Sequence, residues 1–435
     1  MQRFITFYMK RFIVLCLTAM LALHAWAQTT FTVGHLKYTV TNSARHEVAV
    51  GATETKPVGN LTIPSTVKNN GVSCTVTSIS DNGFNGCSEL TSVSIPNSVT
   101  NIGCSAFRNC KILTTIVIPE SVKSIGNSAF DGCSSLKSVN IPNSVSVISY
   151  NSFYGCKSIS SITIPESVTI IEWGAFYMNG LKTITIPNSV KNIGASAFEY
   201  CDSLTSVVIG NSVKNIGERA FCNCHNLRSL CLGNSVEVID KMAFWSSNLV
   251  SVTIPNSVTT IGDGAFSWCN LSSVNIGKSV ANMGSGVFER SRRLRKITLN
   301  GENSNFVLED GVLFNKDKTI LILCPKGKTG AYKIPNTVKI IEYDAFGNCE
   351  YLTSVIIPNS VEEINTHAFY YCENLTSVNI PASVTRIGKG VFVGCTTATI
   401  NCEVAEKPEE WESGWNDEYF EEYVAEGGKV VWGVK

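Results

Sequence analysis

Cysteine is the residue type with the most chemistry to offer in this chain, which contains seventeen. Cys87, Cys110, Cys133, Cys156, Cys201, Cys224, Cys269, Cys349, Cys372 and Cys395 share one position of a repeated phrase, each three residues after a phenylalanine. Small disulfide-rich domains space cysteines unevenly and use them in place of a core. A cysteine that returns beside a buried ring reads instead as a column of packed thiols. Successive rungs of such a column lie about 5 Å apart, a separation a disulfide can span. Cys74, Cys104, Cys222, Cys231, Cys324 and Cys402 stand off the column without evident partners. The one short-spaced metal-like group is Cys222-x-Cys224 beside His225, but Cys224 belongs to the column, and His35, His46 and His367 are isolated. No structural zinc site is expected from this spacing.

Serine is abundant, yet it sits in a recurring PNSV turn, where a hydroxyl shapes the bend. No GxSxG elbow, HExxH helix, Walker loop or dinucleotide fingerprint is present. Glu409, Glu410 and Glu412 read as a solvated face. The expectation is a non-catalytic protein with no catalytic residue, cofactor or metal. Lysine plus arginine equals aspartate plus glutamate, 35 each, and charged residues make up 16% of the chain. That balance gives no reason to expect a nucleic-acid partner.

The elements that carry these residues follow from the phrase itself. It reads LTSVSIPNSVTNIGCSAFRNC from Leu90, LTTIVIPESVKSIGNSAFDGC from Leu113, LKSVNIPNSVSVISYNSFYGC from Leu136 and LTSVNIPASVTRIGKGVFVGC from Leu375. A fixed period of 22 or 23 residues specifies a solenoid, in which each coil buries its apolar side against its neighbours. Val93 and Ile95 alternate with polar residues, as a strand requires. The proline that follows, or glycine at Gly210, Gly233 and Gly277, stops the strand at one place in every coil. A second apolar pair, Val99 and Ile102, precedes a small residue and Phe107 on a short turn of helix or an irregular bend. Phe84, Phe107, Phe130 and their equivalents to Phe392 would stack as one continuous spine. The fold class is thus a β-rich solenoid, a right-handed coil of about 13–14 units with a cap at each end.

With its strand followed by IPxSVxxIGxxAFxxC, the phrase resembles the BspA-type leucine-rich repeat of bacterial surface proteins. The resemblance covers nearly all of the chain after the leader. It implies an N-terminal cap from Phe31 to Thr77 and a hairpin-like interruption from Asn303 to Lys328. It also implies a closing segment that contains Pro408, Trp415 and Trp432. The expected division is 1–27 leader, 28–89 cap and irregular coil, 90–299 repeats, 300–331 hairpin-like unit, 332–398 repeats and 399–435 closing segment. In the leader, Lys10 and Arg11 precede the apolar run Phe12 to Ala25, and Ala25-Trp26-Ala27 fits a cleavage site after Ala27. No later run is long enough to span a bilayer, so a secreted or cell-surface protein is expected.

Two surfaces vary between copies. The outward strand position reads Ser94, Val117, Asn140, Thr163, Thr185, Val208, Cys231, Thr253, Asn275, Thr298, Ile356 and Asn379, a largely uncharged ladder. It serves either cross-strand contacts or a partner. One or two residues after the phenylalanine stand Tyr154, Tyr177, Tyr200, Trp245, Trp268, Tyr370 and Tyr371, the candidate partner-binding residues. Exposed, they would suit a protein or glycan; packed, they would shield the spine. Arg290, Arg292, Arg293, Arg295 and Lys296 form a basic group, either an anionic contact or a charged rim. The resemblance implies an adhesion or protein-interaction scaffold whose partner is a host matrix or cell-surface protein. The alternatives are glycan binding or an enzyme with its site near the interruption.

Overall fold

The computed structural model describes residues 29–419 and 424–434. The leader and its cleavage site lie outside the described residues. The chain is a β-solenoid of about 14 turns, with no helix among the described residues. It divides into two compact units, Met1–Val168 and Thr169–Lys435. The segment around the phenylalanine is therefore a turn and not helical.

The first unit opens with antiparallel strands Thr30–Val33, Leu36–Asn42 and Glu47–Ala52. A second hairpin, Thr66–Asn69 with Val72–Ile79, follows. From Val72–Ile79 onward the pairing turns parallel, to Asn101–Ile102 and Ser124–Ile125. On the other side of the coil, Gly59–Thr62, Leu90–Ser94 and Thr115–Val117 pair in parallel. This front ladder then falters. Beyond an isolated bridge from Thr115 to Ser138, the side-chain amide of Asn140 takes the place of a peptide group. It donates to the Ile118 carbonyl at 2.7 Å and accepts from the Ile118 N–H at 2.9 Å.

In the second unit the two-residue back strands run from Ile170–Ile171 through Asn192–Ile193, Asn215–Ile216, Val238–Ile239 and Thr260–Ile261 to Asn282–Met283. Front strands pair in two groups, Thr183–Ile186 to Ser229–Cys231 and Ser251–Thr253 to Lys296–Asn300. An antiparallel hairpin, Phe306–Glu309 with Val312–Asn315, interrupts the array. Parallel coils resume from Ile320–Leu323, and the front ladder ends on Lys429–Trp432.

The inward letters of the phrase fill the core. Phe84, Phe107, Phe130 and Phe153 stack at 5.4–5.5 Å in the first unit. In the second, Phe176 to Phe288 stack at 5.0–6.0 Å, and Phe346, Phe369 and Phe392 at 4.9 and 5.2 Å. The expected continuous spine is broken between Phe288 and Phe346. Cys324 takes the ring's place there, its N–H donating to the Ala345 carbonyl as Phe221 does to Ala243. The hairpin-like unit supplies no AF pair, and the ring that packs on Phe346 there is Tyr332, tilted at 5.8 Å and not stacked. At the far end Phe392 meets the edge of Trp415, which packs with Trp411 and Trp432. Those indoles cover the last coil's apolar end, as a capped array requires.

Candidate interaction surfaces

Each coil holds its phenylalanine between two residues of left-handed backbone. Two residues before the ring stand Ser105, Ser128 and Ser196; two residues after it stand Asn109, Gly132, Gly155, Asn223, Asn348 and Gly394, all with positive φ. Glycine and asparagine tolerate that conformation, whereas bulky side chains do not favour it. Tyr200, Trp268, Tyr371 and Arg290 nevertheless occupy it, with φ of 59°, 58°, 53° and 58°. The recurrent Gly or Asn two residues after the ring is the sequence signal for this geometry, which the apolar positions alone do not carry.

The seven candidate aromatics therefore belong to two positions with different surroundings. Tyr154, Tyr177 and Trp245, directly after the ring, are half-buried. Tyr370, at the same position, is 4% exposed, so it is no surface anchor. Tyr200 and Tyr371 are half-buried, and Trp268 is 49% exposed. Tyr177 packs on Tyr200 at 5.5 Å, Trp245 on Trp268 at 6.1 Å and Tyr370 on Tyr371 at 4.5 Å.

Tyr370 is covered because Arg290 joins it to Trp268 across the interruption. The guanidinium lies 4.8 Å from the Trp268 ring centroid and 4.7 Å from that of Tyr370, and it donates to the Tyr370 hydroxyl at 3.0 Å. Arg295 stacks on Tyr351 at 5.2 Å. Two members of the basic group thus act as cation–π struts. Beside them Glu289 is pushed above the usual carboxylate range, chiefly by burial and also by Asp344, with Arg290 opposing.

The thiol column is hydrogen-bonded. Cys110, Cys133, Cys156, Cys224 and Cys372 each donate Sγ–H to the carbonyl of the preceding coil's phenylalanine at 3.1–3.2 Å. All sixteen described cysteines are free. Burial pushes the Cys87, Cys201 and Cys269 thiols up to about 12, which suppresses the reactive thiolate. Cys104 and Cys231 are exposed. Native protein treated with N-ethylmaleimide is expected to gain two adducts quickly, at these positions, by peptide mass mapping. Equally rapid labelling of Cys201 or Cys224 would contradict the packed column.

The PNSV serine has a role beyond its turn. Ser121, Ser167, Ser257 and Ser360 each donate to a valine carbonyl of the preceding coil at 2.7 Å. Gly233 departs from the proline of this phrase for want of space, since a Cβ there would stand 2.2 Å from the Gly210 carbonyl oxygen.

The outward strand ladder is the most regular exposed surface. Ser94, Val117, Asn140 and Thr163 are exposed in the first unit; Thr185, Val208, Cys231, Thr253, Ile356 and Asn379 are exposed in the second, with Asn275 and Thr298 half-buried. Val117 is 70% exposed and Ile356 54%, apolar area left in water among uncharged neighbours. Among the described residues no group of three or more His, Cys, Asp or Glu side chains is placed to hold a metal ion. Among the described residues no helix is long and apolar enough to cross a membrane.

The sequence pattern of the BspA type leucine-rich repeat region matches residues 77–205, 191–312 and 326–409, in six copies. The chain belongs to the BspA-type leucine-rich repeat family. Among solved structures, a leucine-rich repeat protein of Bacteroides ovatus is 26% identical, with a TM-score of 0.60 over 85% of this chain and 94% of that one. A leucine-rich repeat protein of Eubacterium ventriosum is 30% identical over 51% of this chain and 60% of that one, with a TM-score of 0.49. A leucine-rich cell surface protein of Faecalibacterium prausnitzii is 23% identical over 88% and 95%, with a TM-score of 0.41. No curated protein matches the chain. Within the BspA-type phrase the residues that match between copies are the buried ones described above, and the exposed ladder varies.

Proposed function

We propose that this BspA-type protein is exported, that it is not an enzyme, and that it works outside the cell as an adhesion scaffold for host matrix or cell-surface proteins. The observation that supports this reading is the exposed, uncharged outward ladder, with Val117, Val208 and Ile356 set among hydroxyl and amide side chains. Uncharged groups cost less to desolvate than charged ones and can still hydrogen-bond, and interface cores are depleted of charge. Repetition would sum weak contacts over neighbouring coils.

Residues 28–435 are expected to bind at least one member of a panel of immobilised matrix and cell-surface proteins. Val117→Lys, Val208→Lys and Ile356→Lys together should weaken that binding at least tenfold. Undiminished binding by the triple variant would remove the ladder from the interface. A second reading, glycan binding, is favoured by Trp268, which lines a cavity of about 270 Å³ with His225, Asn248 and Asn270. A glycan array separates the two: signal lost when Tyr177, Tyr200, Trp245 and Trp268 all become alanine supports the second reading.

A further inference from the structure

The back ladder of the second unit stops at Asn282–Met283, and among the described residues no strand pairs with its far edge. The hairpin that follows has an edge of its own, Phe306–Glu309, that pairs with no other strand among the described residues. Both edges border one cavity of about 650 Å³, lined by Asn282 and Met283 from one and Phe306 from the other. In the regular coils each back strand accepts a bond from the next: Gly262 N–H donates to Ile239, and Gly284 N–H to Ile261. The Met283 carbonyl is next in that series, and among the described residues no backbone N–H donates to it. Met283 is also half-exposed, whereas Ile239, Ile261 and Ile341 at its position are buried.

The floor of the cavity is apolar, with Ile261, Phe288 and Ile322 beside Met283, and its rim is acidic. Asp263 accepts from the Ser285 N–H at 2.9 Å, Asp240 from the Lys241 N–H at 2.7 Å, and Glu342 from the Tyr343 N–H at 3.1 Å. These bonds orient the carboxylates without neutralising them. Lys241 is the opposing cation in the lining. Open strand edges are templates for another strand, and a strand sends alternate side chains to opposite faces.

We infer that this cleft receives an extended peptide segment of a partner protein, with lysine or arginine alternating with apolar residues. The segment adds as a strand between Asn282–Met283 and Phe306–Glu309, in the manner of β-augmentation. Its apolar side chains cover Met283 and Ile322, both half-exposed, and its cations meet Asp240, Asp263 and Glu342. The inference rests on the protein-binding reading above and locates a second, more specific contact within it.

The test is fluorescence anisotropy with a fluorescein-labelled octapeptide of alternating valine and lysine, titrated with residues 28–435. Saturable binding is expected. It should be at least tenfold tighter than for the valine–glutamate counterpart and for the same peptide N-methylated on alternate backbone amides. Asp240→Asn, Asp263→Asn and Glu342→Gln together keep the side-chain acceptors and should weaken binding at least tenfold, with the thermal midpoint unchanged. Met283→Lys places a cation on the floor and should abolish binding. Equal binding of the N-methylated peptide would reduce the effect to bulk charge and overturn the proposal. So would displacement of the peptide by a neutral oligosaccharide, or no saturable binding at all. If matrix-protein binding persists while the peptide fails, the cleft assignment falls and the adhesion reading stands. If the peptide binds and no matrix or cell-surface protein does, the reverse holds.

Discussion

Replacing Phe221 by alanine should destabilise the protein by about 3–5 kcal/mol, the range for removing a large buried ring without local collapse. Phe221 is fully buried, 5.0 Å from Phe198 and 5.3 Å from Phe244, with ring planes within 1° of each neighbour. The loss is shared by two interfaces, because a coil contacts only the coils on either side. In an array of this kind stability is a sum of coil and interface contributions. The variant should therefore unfold in two transitions by urea titration, since the weakened rung uncouples its neighbours. Phe221→Leu keeps much of the volume and should retain a single transition. A shift below about 1 kcal/mol for the alanine variant would mean that the ring column contributes little beyond ordinary surface burial.

The second large effect concerns the join between the hairpin unit and the coils that resume. Lys326 is fully buried, with Nζ 3.1 Å from the Asp344 carboxylate and 3.2 Å from its carbonyl. Burial pulls the ammonium down most, but Asp344, together with Cys349 and Cys324, leaves Lys326 above the ordinary lysine value. Burial also pushes Asp344 up, against the pull of Lys326. The two contacts that Asp344 makes to one ammonium hold the pair in its charged form. Asp344→Asn suits the left-handed backbone at this position (φ 55°) and should cost about 3–5 kcal/mol, because it strands a buried cation. Lys326→Met combined with Asp344→Asn should recover most of that loss, because it leaves no buried charge unpaired. Guanidinium denaturation of both variants checks this. A double variant as unstable as the single one would show that packing, and not the uncompensated charge, sets the cost.

The coil was legible in the sequence because its causes are local and repeated. Val93, Ile95, Val99, Ile102, Phe107 and Cys110 announce their burial by period, and proline marks where each front strand stops. Features that depend on a single rung carried no such signal. Nothing within the segment near Cys324 indicates that it enters the ring column, since the partner that places it, Ala345, lies in the next coil. Arg290 and Tyr370 are 80 residues apart, so the covering of Tyr370 could not be read from its own repeat. The outward ladder was identified correctly as a position, but the amide of Asn140 closing on Ile118 needed the neighbouring backbone. The open edge at Met283 is the sharpest case. Its residue types differ little from those of Ile261, and what distinguishes it is the strand that does not follow.

The hydrogen bonds between regular coils join residues 21–26 positions apart, whether through the serine hydroxyls, the thiols or the strand pairs. A gene that gains or loses one whole repeat therefore leaves every remaining donor with an acceptor of the same kind. The near-identical IPNSV segments are also the places where homologous recombination would most readily produce such a change. The number of coils is in this sense a mutable trait, and a lineage can lengthen or shorten its contact face without new core residues. The Lys326–Asp344 pair and the Arg290 strut belong to single places in the chain. They are the parts such an exchange must leave intact.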